Sequence, residues 1–322
     1  MVALFVVHTH ASDVLATTPR LAVLSPEKGS GKTRLLEVLQ RLVREPVLAA
    51  NFTAAAICRL IEDRQPTILF DEIDTVYGRG RGASNEMLRA VINSGHRSSG
   101  STVRASPGGG IVSYSTYCPV VLAGIGDLPD TILDRSIVIR MKRRAPSETV
   151  APFRLAEDGD GSEIRSRIVD WTRAHRQLLG GPPRTPLGLY DREADVFEPL
   201  VVIADAAGGE WPERAREAAR FFAESRLAHG TGSLGNLLLG DLRRVWGDAE
   251  RRSSQELLAL LADIEDRPWS RSQSNRFSSH SLAALLKQYD IHPRDRRFHD
   301  KVLKGYARAD LVDSWSRWLP SL

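Results

Sequence analysis

The sequence predicts an α/β fold built on a parallel sheet, and three observations carry that prediction. Two short apolar runs, Leu21-Ala22-Val23-Leu24 and Thr67-Ile68-Leu69-Phe70, each lead straight into a loop rich in charge or glycine. A third, Val120-Val121-Leu122-Ala123-Gly124, follows them, and segments with helical spacing of leucines lie between. Strands that read as continuous apolar runs are buried on both faces, the habit of parallel sheets covered by helices.

The first run opens the stretch Leu21–Leu36, LAVLSPEKGSGKTRLL. A strand breaks into a Pro/Gly loop ending Gly29-Ser30-Gly31-Lys32-Thr33, and a helix follows at once. That order gives a glycine-loop match a mechanism. Successive backbone N–H groups form an anion-binding nest, and the helix N-terminus adds the positive end of its dipole. The phosphates of ATP are therefore expected against Lys28, Gly29, Ser30, Gly31, Lys32, Thr33 and Arg34. Lys32 would reach the β- and γ-phosphates and the Thr33 hydroxyl would ligate Mg²⁺. One departure is plain: the motif starts with glycine where this chain has Pro26, so only its GKT half is intact.

The second run ends in Asp71-Glu72. Strand ends open into the crevice where ligands bind, so Asp71 is expected to hold Mg²⁺, directly or through water, and Glu72 to polarise the attacking water. Adjacent strand residues face opposite ways, which divides the two tasks between the two carboxylates. Downstream of Gly-Lys-Thr the pair reads as a Walker B element and favours hydrolysis over mere binding.

After a helix expected over Asn85–Asn93, two β-rich runs flank Pro107-Gly108-Gly109-Gly110 and predict a hairpin. Its place resembles that of the hairpin with which ring helicases of the AAA+ class project basic residues into a central pore. Arg97 and Arg104 are the basic candidates; a plain surface hairpin is the alternative. The third run leads through Gly126-Asp127, where AAA+ proteins carry a polar γ-phosphate sensor, to a short helix ending at Arg135. An arginine there resembles the finger that completes a neighbour's site, since a guanidinium is always charged and grips phosphate through two donors. A surface ion pair with Asp134 or Asp130 is the alternative.

Past Arg144 the apolar strands stop and helical patterns cover Ile164–Leu179, Asp191–Ala207 and Pro212–Ala228. Arg192 opens the second of these, where a lid helix can aim an arginine at the phosphates; an N-terminal surface charge is the alternative. The last segment reads as helices over Glu256–Ile264 and Ser281–Tyr289, a basic stretch with Arg294, Arg296 and Arg297, and a helix over Arg308–Leu319. That order resembles a winged helix-turn-helix, which would bind nucleic acid; a docking or oligomerisation module is the alternative. The expected division is a P-loop ATPase core with a hairpin insertion (1–150), a helical lid (151–235) and a C-terminal winged-helix-like domain (236–322).

Composition narrows the class. The 322 residues carry a net charge of +4, placed unevenly: +4 over 1–150, −5 over 151–270 and +5 over 271–322. The basic C-terminal segment is the expected footprint for a polyanion. No apolar run approaches the ~18 residues that span a bilayer, and MVALFVVHTHASD lacks a signal peptide's basic start and cleavage site. A cytoplasmic protein without a membrane partner is expected; the abrupt start leaves room for a missing N-terminal domain. Cys58 and Cys118 read as buried free thiols. His8 and His10 lack the companion ligands that zinc requires.

With these residues in view, the chain resembles the domain-of-unknown-function 3631 family, P-loop ATPases of phages, prophages, plasmids and actinobacteria often labelled helicases. SPEKGSGKTRLLEVL, PTILFDEIDT, INSGHR, LAGIGDLPDTILDRSIVIRMKRR, DREADVFEPLVVIADAAGGEWPERAR and KGYARADLVDSWSRWLP carry the resemblance. It accounts for Pro26 as the family's form of the loop. What it implies is an AAA+-like, Mg²⁺-dependent ATPase acting on DNA in mobile-element or phage replication, as helicase or helicase loader. A ring-shaped homo-oligomer, with a hexamer as the candidate size, and replication proteins are the implied partners. An ATP-controlled regulatory switch or transcriptional factor without unwinding activity is the second reading, and a degenerate copy the third.

Overall fold

The structure is a computed structural model. It describes residues 1–49, 52–77, 83–105, 110–145, 147–150, 161–184, 187–189, 191–228, 234–265, 267–270, 277–298 and 301–319. The chain divides into two compact units, Met1–Ser225 and Arg226–Leu322.

The first unit runs α1 (Val2–Ala11), β1 (Arg20–Ser25), α2 (Lys32–Leu42), β2 (Pro46–Ala49), α3 (Ala54–Arg64), β3 (Thr67–Phe70), α4 (Asp74–Tyr77) and α5 (Ala83–Ser94). A hairpin of β4 (Ser101–Ala105) and β5 (Ile111–Ser115) comes next, then β6 (Val120–Ile125), α6 (Asp130–Leu133) and β7 (Ser136–Arg140). Helices α7 (Gly161–Leu179), α8 (Asp191–Ala207) and α9 (Trp211–Ala228) complete it, the unit boundary falling in the last turn of α9. Five strands form a parallel sheet in the order β2-β3-β6-β1-β7.

The pleat sorts β1 between two cores. Leu21 and Val23 point to one face, where they join Leu36 and Leu39 of α2, Phe5 of α1 and Phe197 of α8. Ala22 and Leu24 point to the other, with Ile57 of α3, Leu88 of α5 and Ile132 of α6. All six residues of β1 are buried, which is why the run reads as unbroken apolar sequence after Arg20. The helices expected to form a separate lid share the first core with the sheet, through Leu179, Phe197 and Ala219. The chain therefore parts at Ser225, and the expected boundaries at 150 and 235 do not separate compact units.

Arg20 breaks the apolar rule and is fully buried. Its guanidinium donates to Cys118 O at 2.6 Å and to Ile92 O at 2.7 Å, the latter a carbonyl in the last turn of α5. Such carbonyls lack partners inside the helix and sit at the negative end of its dipole. Gly95 is needed beside it, because a Cβ there would stand 2.0 Å from Thr116 O and 3.0 Å from Arg20 Nη2.

Pro199 lies inside α8, and a proline supplies no N–H to the carbonyl four residues back. That carbonyl belongs to Asp195, and Thr17 Oγ1 donates to it at 2.8 Å.

The hairpin is formed as expected, with Ser101 opposite Ser115 and Ala105 opposite Ile111. The turn residues Pro107, Gly108 and Gly109 lie outside the described residues, as does the side chain of Arg104. Cys58 and Cys118 are buried and unbridged. No helix among the described residues is long and apolar enough to cross a membrane.

The second unit contains α10 (Leu234–Val245), β8 (Arg251–Ser253), α11 (Ser254–Ala262), α12 (Ser279–Lys287), β9 (Arg294–Phe298), β10 (Lys301–Ala307) and α13 (Arg308–Trp318). Its three strands pair antiparallel in the order β8-β10-β9. Trp246, Trp269 and Tyr306 with the leucines of α10, α11 and α12 make the core. A capping box fixes the start of α11: Glu256 N donates to Ser253 Oγ at 3.2 Å and Ser253 N to Glu256 Oε2 at 2.9 Å. Part of the Gly-rich stretch before α10 and most of the Ser-rich stretch before α12 lie outside the described residues.

His8 and His10 donate to backbone carbonyls, His8 Nε2 to Thr17 O at 3.1 Å and His10 Nε2 to Leu42 O at 2.8 Å. Burial, which outweighs the Thr17 bond and is helped by the Arg20 charge, pushes the His8 pKa from 6.5 down to about 4. The unfolded chain binds this proton first, so folding stability falls as pH drops from 6.5 towards 4. Urea midpoints should show His8→Gln losing less stability than wild type over that window, by up to ~3 kcal/mol. Parallel losses in the two proteins would mean that His8 is not held neutral.

Candidate functional site

At the carboxyl end of β1 the chain turns through Gly29 (φ +78°) and Gly31 (φ +88°), and α2 begins at Lys32 with Gly31 as its N-cap. Both glycines occupy the left-handed region that side chains avoid. Lys32 Nζ donates to Ser25 Oγ at 2.6 Å and reaches Ser30 Oγ at 3.5 Å, so the ammonium lies across the loop's mouth. Lys28 is exposed, and Arg34 turns along α2 to an ion pair with Glu37 at 3.1 Å.

The strand that precedes the acidic pair stops at Phe70. Asp71 and Glu72 therefore sit on a turn just beyond it, and the pleat does not set their directions. Thr33 Oγ1 donates to Asp71 Oδ2 at 3.4 Å, across from α2. The other Asp71 oxygen accepts from Glu72 N at 3.1 Å. Glu72 has φ +59° and an exposed side chain, so the turn itself separates the two carboxylates. Ile73 N donates to Ala123 O at 2.9 Å and Ile125 N to Asp74 Oδ1 at 3.1 Å, which hooks this turn over the end of β6.

Asp127, at the sensor position, is ion-paired with Arg140 at 3.0 Å. Just past β7, Met141 N donates to Leu24 O at 2.7 Å. Residues 141 and 143 then face the glycine loop. A Cβ on Gly31 would stand 3.6 Å from Met141 Cε, and one on Gly29 would stand 3.3 Å from Arg143 Nη2. Sequence reasoning passed over Arg143, one of three adjacent basic residues; the signal was its i, i+2 spacing from Met141 after a strand that borders β1.

Arg135 and Arg192 lie at the other end of the sheet. Arg20 N donates to Arg135 O at 2.8 Å, at the start of β1. Six strand residues, about 20 Å at ~3.3 Å each, separate that edge from the glycine loop. Arg192 pairs with Asp134 at 2.9 Å, so it does not point at this chain's own loop as a lid arginine would. The helix that carries it is packed on the sheet through Phe197, which fixes its first turn beside Arg135. Arg97 pairs with Asp195 at 2.6 Å and its backbone bridges to Thr17. It belongs to this arginine cluster at the sheet edge and not to the hairpin tip. Arg135 Nη1 donates to Thr131 O, and burial and the Arg192 charge hold its pKa below the usual arginine range.

In the second unit, Arg294 and Arg297 are exposed on β9. Arg296 is not available in the same way: it pairs with Asp310 at 2.6 Å, and the same carboxylate accepts from Ala307 N at 2.8 Å to cap α13.

The fold and these placements define a mixed α/β protein with a glycine loop and an acidic turn at one edge of a five-stranded parallel sheet. The chain belongs to the family described as Protein of unknown function (DUF3631), whose sequence profile matches residues 140–318. The match begins after β1, β3 and α6, so the glycine loop, Asp71, Glu72 and Arg135 lie outside it. A curated relative from Saccharopolyspora erythraea, an uncharacterized 28.9 kDa protein in the xis 5' region, is 39% identical over 183 residues, 56% of this chain and 69% of the relative. Among solved structures, the apo A form of the C-terminal region of NrS-1 aligns with 95% of this chain and 70% of that one. It does so at 12% identity and a TM-score of 0.37, a likeness too remote to assign a fold or a function.

The acidic turn rests on Gly124, where a Cβ would stand 2.9 Å from Ile73 Cγ2 and 3.0 Å from Asp74 Oδ1. Gly124→Ala should therefore lower stability by about 1–3 kcal/mol, as overpacking does. Chemical denaturation of the variant against wild type checks this, and an unchanged midpoint would show that the turn is not seated on β6.

Proposed function

We propose that this chain is a P-loop ATPase of AAA+-like design that couples Mg²⁺-dependent ATP hydrolysis to work on DNA, as helicase or helicase loader of a mobile element. The observation that carries this reading is the convergence of Lys32, Thr33 and Asp71 at the carboxyl ends of β1 and β3, around two left-handed glycines. A loop of that form presents backbone donors to phosphate, and Lys32 exchanges its serine partners for phosphate oxygens. A hydroxyl and a carboxylate oxygen 3.4 Å apart suit a small hard cation, whose neighbouring ligands stand about 3 Å from each other. Thr33 and Asp71 would hold that Mg²⁺, which neutralises charge on the transferring phosphoryl group when bound. Glu72, exposed beside it, orients the attacking water.

The place of Arg192 differs from the sequence expectation, and that of Arg135 does not. Arg143 contacts the phosphates within the chain, in place of Arg192. Arg135, at the far edge of the sheet, serves a neighbouring copy with Arg192 beside it, which calls for a homo-oligomer. In the second unit the order helix, strand, helix, helix, strand, strand supports a winged-helix module, with Arg294 and Arg297 on its wing.

Steady-state ATPase activity with and without single-stranded DNA at low salt tests the whole reading. Stimulation by DNA supports a motor, and turnover indifferent to DNA moves the function to an ATP-controlled switch. Lys32→Ala should abolish binding of a fluorescent ATP analogue, while Glu72→Gln should bind it and turn over poorly. Wild-type turnover in Glu72→Gln would remove the acidic turn from the mechanism. Arg135→Ala should reduce kcat by about 10³-fold with binding nearly unchanged, and mixing it with Lys32→Ala should restore activity through mixed sites.

Arg143→Ala should weaken analogue binding about tenfold, the worth of one charge-assisted hydrogen bond. Arg192→Ala should leave it unaltered. The opposite pattern would return the phosphate contact to the lid arginine.

A further inference from the structure

Helix α7 presents a polar stripe that the nucleotide chemistry leaves unused. Ser162, Arg165 and Ser166, with Arg41 of α2 opposite, line a cavity of about 460 Å³. A second cavity of about 210 Å³ meets it at Val169 and is lined by Arg44, Arg173 and Arg176, with His10 beside them. The α7 positions recur at i, i+3, i+4, i+7, i+11 and i+14, so they fall on one face of the helix. From Ser162 to Arg176 that face runs about 21 Å at 1.5 Å per residue.

The walls are mainly basic, with Arg173 in an exposed pair with Asp170 at 3.5 Å. Five arginines line the two cavities, and the single carboxylate among the described lining residues, Asp13, is held by Arg176 at 2.5 Å. Burial lowers the His10 pKa, and the charges of Arg165 and Arg44 lower it further, in keeping with a positive potential at this place. Arginine and serine side chains here offer donors, which suits a ligand made of acceptors. No aromatic face stands among the described lining residues apart from His10, so bases have little to stack on. Phosphate contacts position a strand without reading its sequence.

We propose that the groove between α2 and α7 is a track for the phosphate backbone of a single nucleic-acid strand. It binds independently of nucleotide and of base sequence. It shares with the proposed function only the premise that the partner is nucleic acid, and needs neither the glycine loop nor the winged unit.

Fluorescence anisotropy of a labelled oligothymidylate, titrated with the full chain without ATP over a range of salt, tests it. Each single-strand phosphate neutralised adds about 0.7 to the slope of log affinity against log salt. Arg41→Ala with Arg165→Ala should weaken binding at least about tenfold at low salt and reduce the slope by about 1.4. Lysine at both positions should restore the slope, because it keeps the charge. Ser166→Asp, a milder change that guards against a failure to fold, should weaken binding as well.

If wild type binds and the groove variants keep its affinity and slope, the groove is overturned. A loss confined to Arg294→Ala with Arg297→Ala overturns it equally and places binding on the wing. If wild type binds no strand at all, the groove and the DNA half of the proposed function fall together, while analogue binding and its loss in Lys32→Ala still judge the ATPase half.

Discussion

The fold of the first unit depends on one buried cation. Arg20 begins the strand that ends in the glycine loop, and its guanidinium is spent on two backbone carbonyls, one from α5 and one from the approach to β6. Burying a charge without such bonds is prohibitive, and a guanidinium meets the two carbonyls from two separate nitrogens in a fixed fork, where a lysine would have to meet both from one atom. The consequence is that α5, the hairpin's return and β1 cannot be positioned separately. Because Arg20 N also binds Arg135 O, the short segment before β7 is drawn into the same arrangement.

A single six-residue strand thus has different chemistry at its two ends. Its carboxyl end holds Lys32 and Thr33 beside the acidic turn, and its amino end holds the cluster of Arg97, Arg135 and Arg192 with Asp134 and Asp195. Arg97 and Arg192 are half-exposed and ion-paired, so exposed ion pairs must be exchanged whenever a new anion is bound there. Pairs of that kind contribute little in water, which keeps the exchange inexpensive.

Much of this was legible in the sequence, for reasons specific to each part. The strands β1, β3 and β6 read clearly because both their faces are buried, and α8 was bounded correctly by its acidic start and its glycine end. The nearness of Thr33 to Asp71 was legible because each follows directly on the end of a strand or its loop. Edge strand β2 was not seen: it is four residues long, starts with Pro46 and is only half-buried, so its short run Val47-Leu48-Ala49 does not stand out from the connection around it. Helix α10 was hidden by Gly235 and Gly240, though a Cβ on Gly235 would stand 2.6 Å from the Tyr289 ring. The partners of Arg20, Arg192, Arg296 and Arg143 are contacts far along the chain or set by side-chain direction, which local pattern does not encode.

Pro199 shows how such a contact can reach back into a helix. By leaving the Asp195 carbonyl without its helical donor, it lets a residue from the β1 approach take the vacant place in α8. The first turns of α8 are therefore held by a hydroxyl from outside the helix as well as by the helix itself. Amide exchange in that half of α8 reports undocking from the sheet edge, and helix fraying alone does not set its rate. The amides from Leu200 to Ala204, whose side chains lie in the main core, are expected to exchange with the sheet as one cooperative body.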